Sequence, residues 1–400
     1  MVISETTIAI IFFILLGIFL YRNKENLNIQ KILFPFLYMI LYRTKWGIKS
    51  MDSGAKKHPK LVKWISYSGV YICFFGMIIT VVYLLYMLFK IFQQGSTVAS
   101  VAIAQPFVET QIGSPFFYIP FSYFVIVIFI IATVHEFSHG IVARRFGVKV
   151  KSSGFAFFSV LIPILPAAFV EPDEKQIQKI KPMKQLAIYA AGPLSNLILA
   201  ALFYVILLIS QVGLANVTQT NIYVADFIQD SDQVLPAELS GIEIGEYIKQ
   251  IDETEITNIN VFTNFMATTK PGQNITILTE ENSYQLTLVE YPTKDIGYLG
   301  IIPGINTEFL PEFQARFGWS ISIILWLLGL MFLLFIFNLG VALINLAPIG
   351  PLDGGRMILT LLKTKYKEKK ALVIWGKISS LMLLVLLANI FLPFILRLFV

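Results

Sequence analysis

The chain has 400 residues, of which 56% are apolar and only 14% charged, more apolar than ordinary soluble domains. Its lone cysteine, Cys73, excludes an internal disulfide and any cysteine-rich metal cluster. The formal charge of +6 sits in segments that flank apolar runs instead of gathering on a soluble face, which excludes nucleic acid as a partner and points to a multi-pass protein of the lipid bilayer.

The first apolar run, 7–21, follows Ser4 and Glu5 and precedes Arg22 and Lys24. A secretory signal carries its positive charge before the apolar core, so this order predicts an uncleaved anchor with its N-terminus outside. Residues 32–42 are apolar, too few to span and bordered by bases, which predicts an interfacial helix. Further spans are predicted over 67–92, 121–142, 186–211, 321–341 and 371–396. Residues 154–170 break the pattern, since this apolar stretch holds Pro163 and Pro166 and has basic residues on both sides. A loop or hairpin that dips into the membrane and returns is expected there, with protein or water covering its backbone.

Residues 211–318 hold most of the acidic side chains and only Lys249, Lys270, Lys294 and Arg316 as bases, whereas Lys and Arg crowd 22–63, 144–184 and 363–377. The positive-inside rule then places the basic loops in the cytoplasm and the acidic segment outside, and six spans threaded from an outside N-terminus satisfy every loop. Within the acidic segment, β-type runs at 221–227, 247–251, 274–279 and 284–289, with a helix-like stretch at 261–268, predict a small α/β domain. PAELSGIEIGEYIKQI from Pro236 and KPGQNITI from Lys270 resemble a PDZ domain, which implies peptide termini or extended segments as partners at its edge.

The expected fold class is therefore a polytopic α-helical membrane protein with about six transmembrane helices, a membrane-dipping hairpin and a small PDZ-like extracytoplasmic domain. The expected division is 1–120 for the N-terminal anchor helices and basic link, 121–211 for a catalytic membrane core, 212–300 for the PDZ-like domain, and 301–400 for a C-terminal membrane core.

Inside the third span the chain reads VHEFSHG. His135 and His139 are four apart on one helix face, so both imidazoles can bind one Zn²⁺, with Glu136 beside it as a base. Ionisable groups in the middle of an apolar helix are costly and mark function. Catalytic zinc takes three protein ligands and leaves a place for water. The remaining histidine, His58, lies in the basic stretch KKHP and reads as solvated, so the third ligand should be a carboxylate. Asp353 in INLAPIGPLDGGR is the leading candidate, because the prolines and glycines around it interrupt regular structure.

Taken together, HEFSH in a membrane helix, AAGPLSN at 190–196, the PDZ-like insert and NLAPIGPLDGG from Asn345 resemble the site-2 protease family of intramembrane metalloproteases, over most of the chain from about Phe121 onward. The resemblance implies one Zn²⁺ per chain on His135, His139 and Asp353, with Glu136 as general acid/base. It also implies Asn345 as a substrate or transition-state contact, and transmembrane protein segments as substrates. The expected location is the cell membrane, with the active site near the cytoplasmic side. On the residues alone, three other readings stay open: a non-catalytic PDZ-bearing scaffold or receptor, a cation transporter, and a different membrane zincin with a downstream Glu ligand.

Overall fold

The structure is a computed structural model that describes residues 4–33, 37–94, 101–106, 108, 114–160, 162–228, 234–291 and 294–397. Its elements group into two compact units, one of 1–207 with 328–400 and one of 208–327.

The chain opens with α1 (Glu5–Arg22), β1 (Leu27–Leu33), β2 (Leu37–Thr44), α2 (Ile48–Lys57) and α3 (Pro59–Gln94). Two short strands, β3 (Ile103–Gln105) and β4 (Phe116–Tyr118), lead to α4 (Phe121–Arg145). The exposed backbone donors at the start of α4 are met by another helix: Glu5 accepts from the Ser122 amide and hydroxyl at 2.8 Å each. Next come β5 (Val150–Val160), β6 (Ile162–Pro172), the short α5 (Glu174–Ile177) and α6 (Pro182–Ala215). The second unit contributes β7 (Thr218–Phe227), α7 (Pro236–Leu239), β8 (Tyr247–Ile251), β9 (Thr254–Glu255), α8 (Ile259–Thr268), β10 (Asn274–Thr279), β11 (Ser283–Thr287), β12 (Val289–Tyr291), β13 (Lys294–Tyr298) and β14 (Ile301–Phe309). The chain ends in α9 (Pro311–Leu346), α10 (Asp353–Lys365) and α11 (Glu368–Arg397).

Six helices, α1, α3, α4, α6, α9 and α11, are long and apolar enough to cross a membrane, one for each predicted apolar run. Several begin earlier than their apolar runs, because Pro59, Pro182 and Pro311 open α3, α6 and α9 at the position where a missing N–H costs nothing. Along α3, Val70, Cys73, Met77 and Leu84 are buried while Tyr71, Phe75, Ile78 and Val82 stay exposed. A helix apolar on every side is at home in lipid, where its outward face needs no polar cover.

Of the stretch 32–42, expected as an interfacial helix, the described residues 32–33 and 37–42 are strand instead. β1 and β2 form a hairpin, and β2 pairs antiparallel with β5 from Leu37↔Val160 to Thr44↔Ser153, giving the sheet order β1-β2-β5-β6. Hydrophobic periodicity does not separate helix from strand in so short a run, and here a partner far along the chain decides. Residues 154–170 form the antiparallel hairpin of β5 and β6, registered from Val150↔Pro172 to Val160↔Ile162. Leu161 lies outside the described residues.

The second unit is built on a sheet of order β11-β10-β8-β7-β14, with β9 against β8. Ile222, Val224, Ile248, Ile251, Ile275 and Ile277 are buried with Phe262 of α8 to make its core. The boundary expected at 300 falls inside this sheet, since β14 pairs with β7 from Ile301↔Phe227 to Phe309↔Thr218. Residues 301–309 therefore belong to the second unit and not to the C-terminal membrane core. Their burial does not alternate cleanly, so the strand has no period-2 signature to read.

Candidate active site

α4 carries His135 and His139 one turn apart, on the face that meets α6 and the start of α10. Asp353 is the first residue of α10. It reaches the histidines because the chain doubles back sharply after α9. A Cβ on Gly354 would lie 2.5 Å from the Leu346 carbonyl carbon and 2.6 Å from the Ala347 oxygen, so backbone can approach backbone this closely only without a side chain. α11 pins the turn: Trp375 Nε1 donates to the Gly355 carbonyl at 2.9 Å, and the Ser379 hydroxyl accepts the Gly350 N–H.

His135 Nε2 lies 3.1 Å from Asp353 Oδ2 and 3.2 Å from His139 Nε2, and His139 Nε2 lies 3.3 Å from the same oxygen. A tetrahedral zinc site with bonds of about 2.0–2.1 Å has ligand-to-ligand edges of about 3.3–3.4 Å. The triangle fits one such ion with hardly any movement, and two imidazoles with one carboxylate is a donor set of catalytic zinc. Among the described residues this is the group of His, Cys, Asp and Glu placed to hold a metal.

Glu136 Oε2 accepts the Val170 N–H of β6 at 3.0 Å. In an antiparallel strand the backbone groups point alternately to either side, so Val170 and Ala168 both turn away from β5. β6 is thus an edge strand, and its free side runs along α4 toward Glu136. A cavity of about 330 Å³ joins these parts, lined among others by His135, Glu136, Val170, Asn345, Asp353 and Arg356. The structure brings all five sequence-predicted residues to this one cavity, whereas His58 is exposed.

Sequence reasoning missed several residues here. Arg356 pairs with Glu174 at 3.0 Å and lies 5.7 Å from the Tyr189 ring, and all three line the cavity. The Ile188 carbonyl lies 2.7 Å from His139 Nδ1, and the Asn196 carboxamide 3.1 Å from His135 Nδ1. Asn196, an amide inside an apolar run, was the one sequence signal available.

The sequence profile of Peptidase family M50 matches residues 123–386, about two thirds of the chain and all of the residues just described. The chain belongs to Peptidase family M50. An uncharacterized protein of Methanocaldococcus jannaschii is 27% identical over 353 residues, which cover 88% of this chain and 84% of that one. A Neisseria meningitidis protein named as a candidate zinc metalloprotease is 33% identical over 162 residues, 34% of each chain. Among solved structures, the PDZ domain of an SdrC-like protein from Listeria monocytogenes aligns with 20% of this chain and 85% of that one, at 17% identity and a TM-score of 0.18, too slight a likeness to carry an argument. Family membership and six span-length apolar helices make the chain a multi-pass membrane metalloprotease.

Proposed function

We propose that this M50 metalloprotease is an intramembrane endopeptidase of the site-2 type, cutting transmembrane segments of other proteins in regulated intramembrane proteolysis. His135, His139 and Asp353 hold one zinc ion per chain. The observation that carries this reading is the triangle of their ligand atoms, 3.1 to 3.3 Å on a side, facing a cavity that Glu136 shares. When bound, zinc would supply Lewis acidity toward the scissile carbonyl and the attacking water. Glu136 takes the proton of that water and returns it to the leaving amine. The Val170 amide holds the Glu136 carboxylate at the cavity until then. Asn345, in the last turn of α9, contacts the substrate or the transition state by its carboxamide.

A helical substrate hides its peptide bonds in its own hydrogen bonds and has to be extended before attack. The hairpin offers a place to extend it, by adding a strand to the sheet. β2 already occupies the outer side of β5, so the strand open to substrate is β6. The bases that follow the histidines on α4, Arg144 and Arg145, support a site near the cytoplasm, which would also be the source of its water. The acidic second unit is then extracytoplasmic, where a PDZ-like fold would take peptide termini or extended segments.

The test is zinc content measured beside cleavage of a model transmembrane peptide, for the wild type and Glu136→Gln. The variant should keep its zinc and lose at least roughly 10²–10⁴-fold in cleavage, the usual contribution of a general base. Full activity in the purified variant would refute the assignment. A scaffold or receptor would ignore chelators altogether.

A further inference from the structure

We propose that one face of α6, made by Ile188, Gly192 and Asn196, positions both histidines for the metal, with Asn196 fixing the ring of His135. This inference rests on the zinc reading above. The three residues are spaced four apart and so share a side of the helix. Each meets a different part of the histidine pair.

The Ile188 carbonyl lies 2.7 Å from His139 Nδ1. A carbonyl only accepts, so Nδ1 carries the hydrogen and Nε2 keeps its lone pair for a metal. A Cβ on Gly192 would lie 2.5 Å from His135 Nε2 and closer still to His139 Nε2, so bare backbone sits directly against both ligand atoms. Asn196 has none of its surface exposed, and its carboxamide is 3.1 Å from His135 Nδ1.

With His135 Nε2 given to the ion, Nδ1 must be an N–H, and only the carboxamide oxygen of Asn196 can accept it. The Nδ2 end of the carboxamide is the one nearest the ring, and the buried Oδ1 is without a hydrogen-bond partner among the described residues. Exchanging the two ends of the amide, which differ little in size, gives that oxygen a donor and fixes the tautomer that metal binding requires. α6 is also held from behind, where Cys73 Sγ lies 3.5 Å from the Ala190 carbonyl and Gly69 faces Leu194 at close range. The face therefore presents a fixed surface to α4.

The test uses the full-length purified chain, stripped of metal and titrated with Co²⁺ and Zn²⁺ against a competing chelator, so that no readout depends on activity. Asn196→Ala should weaken metal binding by about 10–100-fold, as for other outer partners of a metal-bound histidine, and should alter the visible spectrum of bound Co²⁺. Asn196→Asp keeps an acceptor for Nδ1 and should recover most of the affinity. Both variants should melt like the wild type when metal-free. Wild-type affinity and spectrum in Asn196→Ala would overturn the positioning role and leave the zinc reading intact. A metal-free melting temperature lowered equally in both variants would make Asn196 a packing residue, which also overturns it. A wild-type chain that binds neither metal would bring down the zinc reading and this inference together.

Discussion

Replacing Gly192 with alanine puts a methyl group into the space between α6 and the two imidazoles. Its carbon would lie 2.5 Å from His135 Nε2 and 2.6 Å from Cε1 of the same ring, where ordinary contact starts at 3.4 Å. Relief requires the His135 ring to retreat by roughly 0.9 Å, the difference between those distances, and the His139 ring by more. Metal sites hold their ligand distances to within about 0.2 Å, so coordination fails well before the clash is gone. Overpacking of this kind costs about 1–3 kcal/mol by itself. A wild-type chain with zinc at about 1,000 times its Kd gains about 4 kcal/mol that the variant would forfeit. The assay is zinc content per chain, with thermal unfolding recorded with and without chelator in one detergent. Gly192→Ala should be purified largely zinc-free and its melting should scarcely respond to chelation, while its helical circular dichroism persists. A variant with full zinc and the wild-type response to chelator would refute the close approach of α6 to the histidines.

Two further outcomes test other parts of the site. Asp353→Ala removes a ligand outright and should reduce zinc affinity by more than the roughly 10–100-fold expected from an outer partner; intact binding, read by chelator competition, would point to a different carboxylate. Ala168→Pro removes an amide that β6 turns away from β5, so the ladder to β5 survives. Cleavage of a transmembrane peptide should fall through a higher KM at unchanged zinc content, and an unchanged KM would remove β6 as the pairing strand.

The parts of the molecule that were legible in sequence are those whose signal is local. His135, Glu136 and His139 share one turn of helix, so spacing alone placed them, and the six apolar runs are visible by length. Asp353 was reachable because a third ligand had to exist and glycines flank it; the structure adds why they do, since Gly354 lets α10 start against the end of α9. What stayed hidden depends on distant partners. Residues 32–42 have the composition of a short amphiphilic helix, and pairing to β5 makes 37–42 strand. Ile188 contributes a backbone carbonyl and Gly192 an absent side chain, neither of which leaves a mark in composition.

The pairing of β2 with β5 also bears on how the protein can be shortened. Eight residues of β5, from Ser153 to Val160, find their outer hydrogen-bonding partners in Leu37–Thr44. Any fragment trimmed to begin at α2 would leave that row of amides and carbonyls bare, a template for aggregation with a second fragment. β2 is thus a shield for the hairpin, and a minimal protease has to include it.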